Sequence, residues 1–252
     1  MAFLEKRRNY QLIGVLFFIF IIAIFVLTHV MTHSANSGNG FYLDGSSYLS
    51  LNKTVNGNFT ASAWVEYQKF NGTGVILAQG LGENSHSIFY MGSGGEVGSR
   101  LSCGVFSDYD LGQNVTAGWR FASSGIPTLG VWHNVVCTFN SSYISLYLDG
   151  ALLNSTPTPY PIENATLMEI GKRTSTFYIN GTIPTFAFFN GDISNIQVYN
   201  YSFDSEQVHG IYSKGISGAP KNAGIYLPLT NDSDYACFSF GHVCNLAYHS
   251  TS

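Results

Sequence analysis

Charge is scarce in this chain. Only 10% of its 252 residues are Asp, Glu, Lys or Arg. Lys6, Arg7 and Arg8 sit at the front and none of the remaining cations precedes Lys53. From residue 32 onward, eight Lys/Arg face fourteen Asp/Glu, 8 − 14 = −6. A chain without a basic stripe is not built to bind nucleic acid, and so low a charge gives no strong steering field. No Cys-x-x-Cys pair occurs among the 4 cysteines, which argues against zinc-ribbon and thioredoxin chemistry. Gly-x-Ser-x-Gly and His-Glu-x-x-His are both missing and the seven histidines are scattered, so serine-hydrolase and zincin signatures are absent. Aromatics are not scarce: 19 Phe and 16 Tyr, with 27 Gly, exclude disorder and suit short strands joined by tight turns.

One long apolar run stands out. Residues 12–31 include Phe17, Phe18, Phe20, Ile21 and Ile22 and carry no charge. About 20 such residues cross a ~30 Å hydrocarbon core as a helix. Lys6-Arg7-Arg8 at its front keeps the N-terminus cytoplasmic. Residues 1–11 then form a cytoplasmic basic stub, 12–31 a single-pass anchor, 32–40 a Gly/Ser/Asn linker, and the rest lies outside the cell. A cleaved signal peptide is the alternative; its apolar core is usually shorter, about 7–15 residues, and Thr32-His33-Ser34-Ala35-Asn36 is a poor cleavage site. Both readings export the same C-terminal part.

Export agrees with two further features. Ten Asn-x-Ser/Thr triplets, at Asn52, Asn58, Asn71, Asn114, Asn140, Asn154, Asn164, Asn180, Asn200 and Asn231, are candidate glycan acceptors. The even number of cysteines, Cys103, Cys137, Cys237 and Cys244, allows three pairings.

The exported part reads as strands. Phe41-Tyr42-Leu43 precedes an Asp44-Gly45 turn, and Tyr48–Leu51 alternates. Phe59–Val65 puts Ala61, Ala63 and Val65 on one face. Val75–Ala78, Ser87–Met91 and Leu101–Phe106 continue the series. Alternation, β-branched and aromatic residues, and Gly/Asn/Asp turns mark antiparallel strands. With almost no helix between them they imply an all-β sandwich. In VWHNVVCTFNSSYISLYLDGALL (131–153) the Asp149-Gly150 turn suits a type I′ hairpin. One helix is expected near the end. Asp204 N-caps it, Gln207 completes a capping box, and Val208, Ile211 and Tyr212 share a face. Gly215 suits its C-terminal left-handed position. Ile225-Tyr226-Leu227 reads as a strand, which is most economically added to the same sandwich because a lone strand buries nothing.

Three stretches resemble the laminin-G-like jelly rolls of the concanavalin A-like superfamily. The first is FYLDGSSYLSLNKTVNGNFTASAWVEY. The second carries Trp132, His133, Val135, Thr138, Tyr147, Asp149 and Gly150. The third is Ile170-Gly171 followed by FFNGDISNIQVYNYSFDSEQVHGIYSKG, where Ser194 stands in the family's usual Asp position. The resemblance implies one antiparallel jelly-roll β-sandwich with a short C-terminal helix over residues 41–217. Residues 218–252 form a tail that adds a strand.

The superfamily's glucanases carry Glu-x-Asp-x-(x)-Glu on one strand, which sets a nucleophile and an acid about 5–5.5 Å apart. None of Glu66, Glu83, Glu96, Glu163, Glu169 and Glu206 has an Asp two residues on, so a non-catalytic module for glycan or protein ligands is expected. A glycoside hydrolase or a purely structural envelope protein are the alternatives. Many relatives hold one calcium ion at the rim, and Asp108 and Asp110 are the candidate ligands, although calcium takes 6–8 oxygens. Phe177, Tyr178 and Phe189 are candidates for stacking on sugar rings; Phe186 and Phe188 are expected to fill the core. His133 is expected to be structural. Cys103 and Cys137, both strand-like, are expected to bridge neighbouring strands; Cys237 and Cys244 close a short tail loop around Gly241.

Overall fold

The computed structural model describes residues 40–51, 53–70, 74–80, 87–93, 100–107, 118–158, 167–172, 188–218, 224–229, 238–239, 242–243 and 246–250. Contacts divide the chain after Gly38; Asn39–Ser252 is one compact unit. Residues 12–31, the expected anchor, lie outside the described residues.

In chain order the strands are β1 Phe41–Asp44, β2 Ser47–Leu51, β3 Phe59–Tyr67, β4 Gly74–Gly80, β5 Ser87–Ser93, β6 Leu101–Ser107, β7 Gly118–Ser123 and β8 Trp132–Phe139. They continue with β9 Tyr143–Leu148, β10 Ala151–Pro157, β11 Leu167–Ile170, β12 Asn190–Tyr199, β13 Ile225–Leu227, β14 Phe238–Ser239, β15 His242–Val243 and β16 Leu246–Ser250. Helix α1, Ser205–Lys214, follows β12. Every pairing is antiparallel. One sheet of nine strands runs β10-β9-β8-β3-β12-β13-β14-β15, with β1 also on β12; a second of seven runs β16-β2-β11-β4-β5-β6-β7.

Alternation along the strands decides what each face does. Ala61, Ala63 and Val65 of β3 point inward with Val135 and Cys137 of β8, and meet Leu49, Leu77, Phe89 and Met91 from the other sheet. Phe59 packs edge-on to Phe89 at 4.6 Å between ring centroids. Each such fully buried large side chain contributes about 1.5–3 kcal/mol, so this shared core is what holds the two sheets together. At the β9–β10 turn Asp149 and Gly150 have φ of 51° and 77°, the type I′ geometry that their sequence suggested.

The helix forms as its sequence dictates. The Asp204 side chain accepts from Gln207 N (2.8 Å), and Gln207 Oε1 accepts from Asp204 N (3.0 Å). Gly215 ends it with φ 57° and ψ −143°, a positive-φ conformation other than the left-handed helical one expected of it. Val208 and Ile211 bury against Val136, Tyr147 and Tyr199 on the outer face of the nine-stranded sheet, and Tyr212 stacks on Trp64 at 5.9 Å. The tail strand β13 lies against β12. Ser194, the departure from the family's Asp, donates from Oγ to Pro228 O (3.0 Å), and Asn195 N donates to the same carbonyl. A hydroxyl at position 194 therefore fastens the tail to the sandwich.

Three expectations are corrected here. Cys103 and Cys137 do form a disulfide, but β6 and β8 belong to different sheets, so the bridge crosses the core and does not join neighbouring strands. Phe189 is fully buried and packs against Tyr67 at 4.8 Å, so its face is closed to a sugar. Phe188, expected inside, is instead half-buried and lies 6.3 Å from Tyr48. Phe189 N donates to Gly171 O, which sets the facing of this segment one residue away from the expected one.

Candidate functional site

The two outer faces of the sandwich are treated differently. The nine-stranded sheet is covered by α1, through Val208 and Ile211. Among the described residues no helix covers the seven-stranded sheet. Its register places Ser50, Glu169, Ala78, Tyr90, Gly104 and Phe121 in one row across β2, β11, β4, β5, β6 and β7. Their chain neighbours Leu49, Met168, Leu77, Phe89, Cys103 and Ala122 face the core, so the row faces outward. Small residues alternate along it with Glu169, Tyr90 and Phe121.

At the β5–β7 end the row is an aromatic floor. Trp119 stacks on Phe121, centroids 5.4 Å apart and planes 10° from parallel. Tyr90 and Phe106 meet the indole edge-on at 5.3 and 5.6 Å. Gly104 makes room for these rings: a Cβ there would sit 2.6 Å from Phe121 and 3.1 Å from Tyr90. Tyr90 is buried beneath, while Phe106 and Phe121 are half-buried and keep ring surface at the solvent boundary. At the β2–β11 end the floor is polar. Lys172 Nζ is 3.6 Å from Glu169 Oε1 and 4.1 Å from the Tyr48 ring centroid, a cation–π arrangement. Flat apolar rings beside a few fixed polar groups are the components of saccharide recognition.

Sequence reasoning missed these residues. The signal was present in YMGS and GWRFAS, where large aromatics alternate with core residues, but nothing along the chain says which face the helix takes.

A second constellation lies on the outer face of the nine-stranded sheet, beyond the helix. Register aligns Tyr42, Asp192, Glu66 and Trp132 across β1, β12, β3 and β8. Gln68 Nε2 donates to Glu66 Oε1 (3.0 Å). Two carboxylates directly opposite on paired strands are unfavourable on their own. The search along a single strand for Glu-x-Asp missed this pair because it forms across strands.

His133 is structural, as expected. Its Nδ1 lies 2.7 Å from Asp149 Oδ2, and Asn134 N donates to Asp149 Oδ1 (2.9 Å). The Asp149 hydrogen bond raises the imidazole pKa above its ordinary value, with burial opposing. The pair ties the start of β8 to the β9–β10 turn.

Of the remaining sequence candidates, Phe177, Tyr178, Asp108, Asp110, Cys237, Cys244, Asn52, Asn71, Asn114, Asn164, Asn180 and Asn231 lie outside the described residues. Asn58, Asn140, Asn154 and Asn200 are described and all exposed. Among the described residues no three His, Cys, Asp or Glu side chains gather as a metal site.

Comparison with solved structures finds the same fold at low identity. A pentraxin from Limulus polyphemus aligns with TM-score 0.53 and 17% identity over 85% of this chain and 91% of its own. A protein from Bacteroides ovatus assigned to carbohydrate binding aligns with TM-score 0.56 and 13% identity over 84% of this chain and 59% of its own. The enzymatically active domain of a bacteriophage CBA120 tailspike aligns with TM-score 0.51 and 14% identity over 76% of this chain and 30% of its own. At these identities the likeness is one of fold, and one fold hosts many functions. No curated protein sequence matches. The family model described as the concanavalin A-like lectin/glucanases superfamily, of laminin-G type, matches residues 30–209. By that match, and by its two antiparallel sheets with one capped helix, the chain belongs to the concanavalin A-like lectin/glucanase superfamily as a laminin-G-like domain.

Proposed function

We propose that this protein is a non-catalytic binding module displayed at the cell surface, taking glycan ligands on the outer face of its seven-stranded sheet. The observation that carries the reading is the contrast between the sheets. One outer face is closed by α1; the other carries half-buried Phe106 and Phe121, packed on the buried Trp119 and Tyr90, beside the Glu169–Lys172 pair. Phe106 and Phe121 supply the apolar stacking surface for a pyranose, Trp119 and Tyr90 hold them in place, and Lys172, the more exposed member of the charged pair, supplies a directional hydrogen bond to a hydroxyl. The sequence run 12–31 is read as the membrane anchor and the sequons as glycan acceptors. Calcium at Asp108 and Asp110 belongs to the same proposal, as does the expectation that nucleic acid is not a partner.

The test is a glycan array probed with the detergent-solubilised protein, beside Trp119→Ala and Lys172→Ala. Binding that both substitutions weaken about tenfold or more, with folding intact by near-UV circular dichroism, supports the assignment. Binding that neither changes moves the ligand off this face.

A second reading, a glycoside hydrolase, is favoured by the opposed Glu66 and Asp192 carboxylates flanked by Tyr42 and Trp132. Release of reducing sugar from polysaccharides, abolished by Glu66→Gln, would replace the binding reading with this one.

A further inference from the structure

One end of the sandwich is apolar in a way its fold does not require. The segment that carries the chain from β7 to β8 crosses from the seven-stranded sheet to the nine-stranded one. Within six residues it exposes Ile126 (55%), Leu129 (47%) and Val131 (45%). Residues 121–132, FASSGIPTLGVW, contain no charged side chain. The segment is pinned at both sides, by Ser124 N to Leu101 O (2.9 Å) and by Gly130 N to Tyr67 O (3.0 Å). Between those ties Pro127 is buried, but a Cβ on Gly125 or Gly130 would meet nothing within 4 Å. Three large aliphatic side chains on a fastened loop leave about half their surface in water, an apolar patch with a cost in free energy.

The chain enters the sandwich at this same end. Gly40 lies so close to the Trp132 indole that a Cβ there would clash with it. Tyr42, 49% exposed, shares a register row with Trp132, and Trp and Tyr are the residues that favour a membrane–water boundary. The linker of residues 32–40 spans at most about 30 Å when extended. Three of the four described sequons mark the other end, while Asn154 contacts Ser123. Asn58 precedes Phe59, Asn140 follows Phe139, and Asn200 follows Tyr199, and these three strand ends are register neighbours or adjoin them. Ser141 Oγ donates to Asn58 Oδ1 across the cluster.

The geometry points to Ile126, Leu129 and Val131 as a bilayer-docking loop that rests in the lipid interface. This rests on the reading of residues 12–31 as a membrane anchor. The apolar loop lowers its free energy by entering the interface, and the short linker keeps the local concentration of lipid high. The hydrophilic sequon end is then free to stand in solvent.

The test uses the full chain in phosphatidylcholine proteoliposomes. Leu129→Cys and, as the opposite-end control, Tyr143→Cys are each labelled with a polarity-sensitive fluorophore, the unsubstituted chain serving as blank. Quenching by nitroxides on the lipid acyl chains is expected to be at least about threefold stronger at position 129, and Leu129→Cys emission to lie to the blue. Equal quenching at the two positions overturns the docking. Self-quenching at position 129 that rises with protein density assigns the patch to a second copy and also overturns it. Alkaline carbonate washing reads the anchor separately. Release of the chain overturns the anchor and the docking that rests on it; retention with an unquenched Leu129 label overturns the docking alone. Triple replacement Ile126→Ser, Leu129→Ser, Val131→Ser is expected to leave thermal stability unchanged while raising protease cleavage in the loop severalfold in vesicles but not in detergent; a change of equal size in both media counts against lipid contact.

Discussion

Cys103 of β6 and Cys137 of β8 meet across the core with Cα atoms 5.8 Å apart, each on a strand of a different sheet. The bridge therefore cross-links the two layers where Phe59, Phe89 and Phe139 fill the space between them.

Cutting this link is expected to cost stability. The cysteines are 34 residues apart in sequence, and closing a loop of that size stabilises by roughly 2–4 kcal/mol on a chain-entropy argument. Cys103→Ala with Cys137→Ala should lower the urea midpoint accordingly. An unchanged midpoint would show that the bridge constrains nothing the core does not already hold.

The His133–Asp149 pair should make stability pH-dependent. The folded pKa of His133 is raised above 6.5, mainly by the Asp149 hydrogen bond. A raised folded pKa means the folded state binds the proton more tightly. The stabilisation is then fully present below the ordinary imidazole value and is lost as pH rises through the folded one. Urea midpoints measured from pH 5 upward should fall across that window, and His133→Gln should flatten the slope. A midpoint that climbs over the same window would contradict the assignment.

The capping box on α1 should matter to the whole sandwich, because the helix covers one of its faces. Asp204→Ala removes the acceptor for Gln207 N and should cost about 1 kcal/mol. Thermal melting reads the loss. Asp204→Ser, which keeps a capping oxygen, should recover most of it.

Gly104→Val tests the aromatic floor. Its side chain must displace the Phe121 and Tyr90 rings, at about 1–3 kcal/mol. Glycan affinity should fall by more than the stability loss explains, and near-UV circular dichroism should report the disturbed Trp119 stack. Full affinity with a disturbed stack would move the ligand elsewhere.

The four described sequons should not be used equally. Asn154 donates from Nδ2, the atom a glycan would modify, to Ser123 O (2.9 Å). Asn140 uses its Oδ1, accepting from Ser142 N and Tyr143 N. Glycopeptide mass spectrometry should find Asn58, Asn140 and Asn200 occupied and Asn154 bare. Occupancy of Asn154 in preference to the others would show that acceptor choice ignores this hydrogen bond.

Much of the fold is legible along the chain because its causes are local. Strand alternation, as in Phe59–Val65, is a property of consecutive residues. The Asp149-Gly150 turn and the Asp204–Gln207 box need only residues within a few positions of one another, and each appears in the structure where its sequence placed it. The pairing of Cys103 with Cys137 was also within reach, but its location across the core was not. Nothing in LSCGVF or HNVVCTF says which sheet each strand joins. The site was less legible still, and Phe188 and Phe189 show why. In a strand-like segment a shift of one residue exchanges the two faces, and Phe189 faces inward because Gly171, far away in sequence, accepts its N–H.

By itself, then, the sequence determined the strand periods, the hairpin turn and the helix cap, since short-range sterics and hydrogen bonding decide them. Tertiary structure alone decided which face α1 closes, that Ser50, Glu169, Ala78, Tyr90, Gly104 and Phe121 form one row, and that Glu66 faces Asp192. Those relations join residues tens to more than a hundred positions apart, and only the registry of strands around a shared core, where a one-residue slip would expose the buried side chains, brings them together.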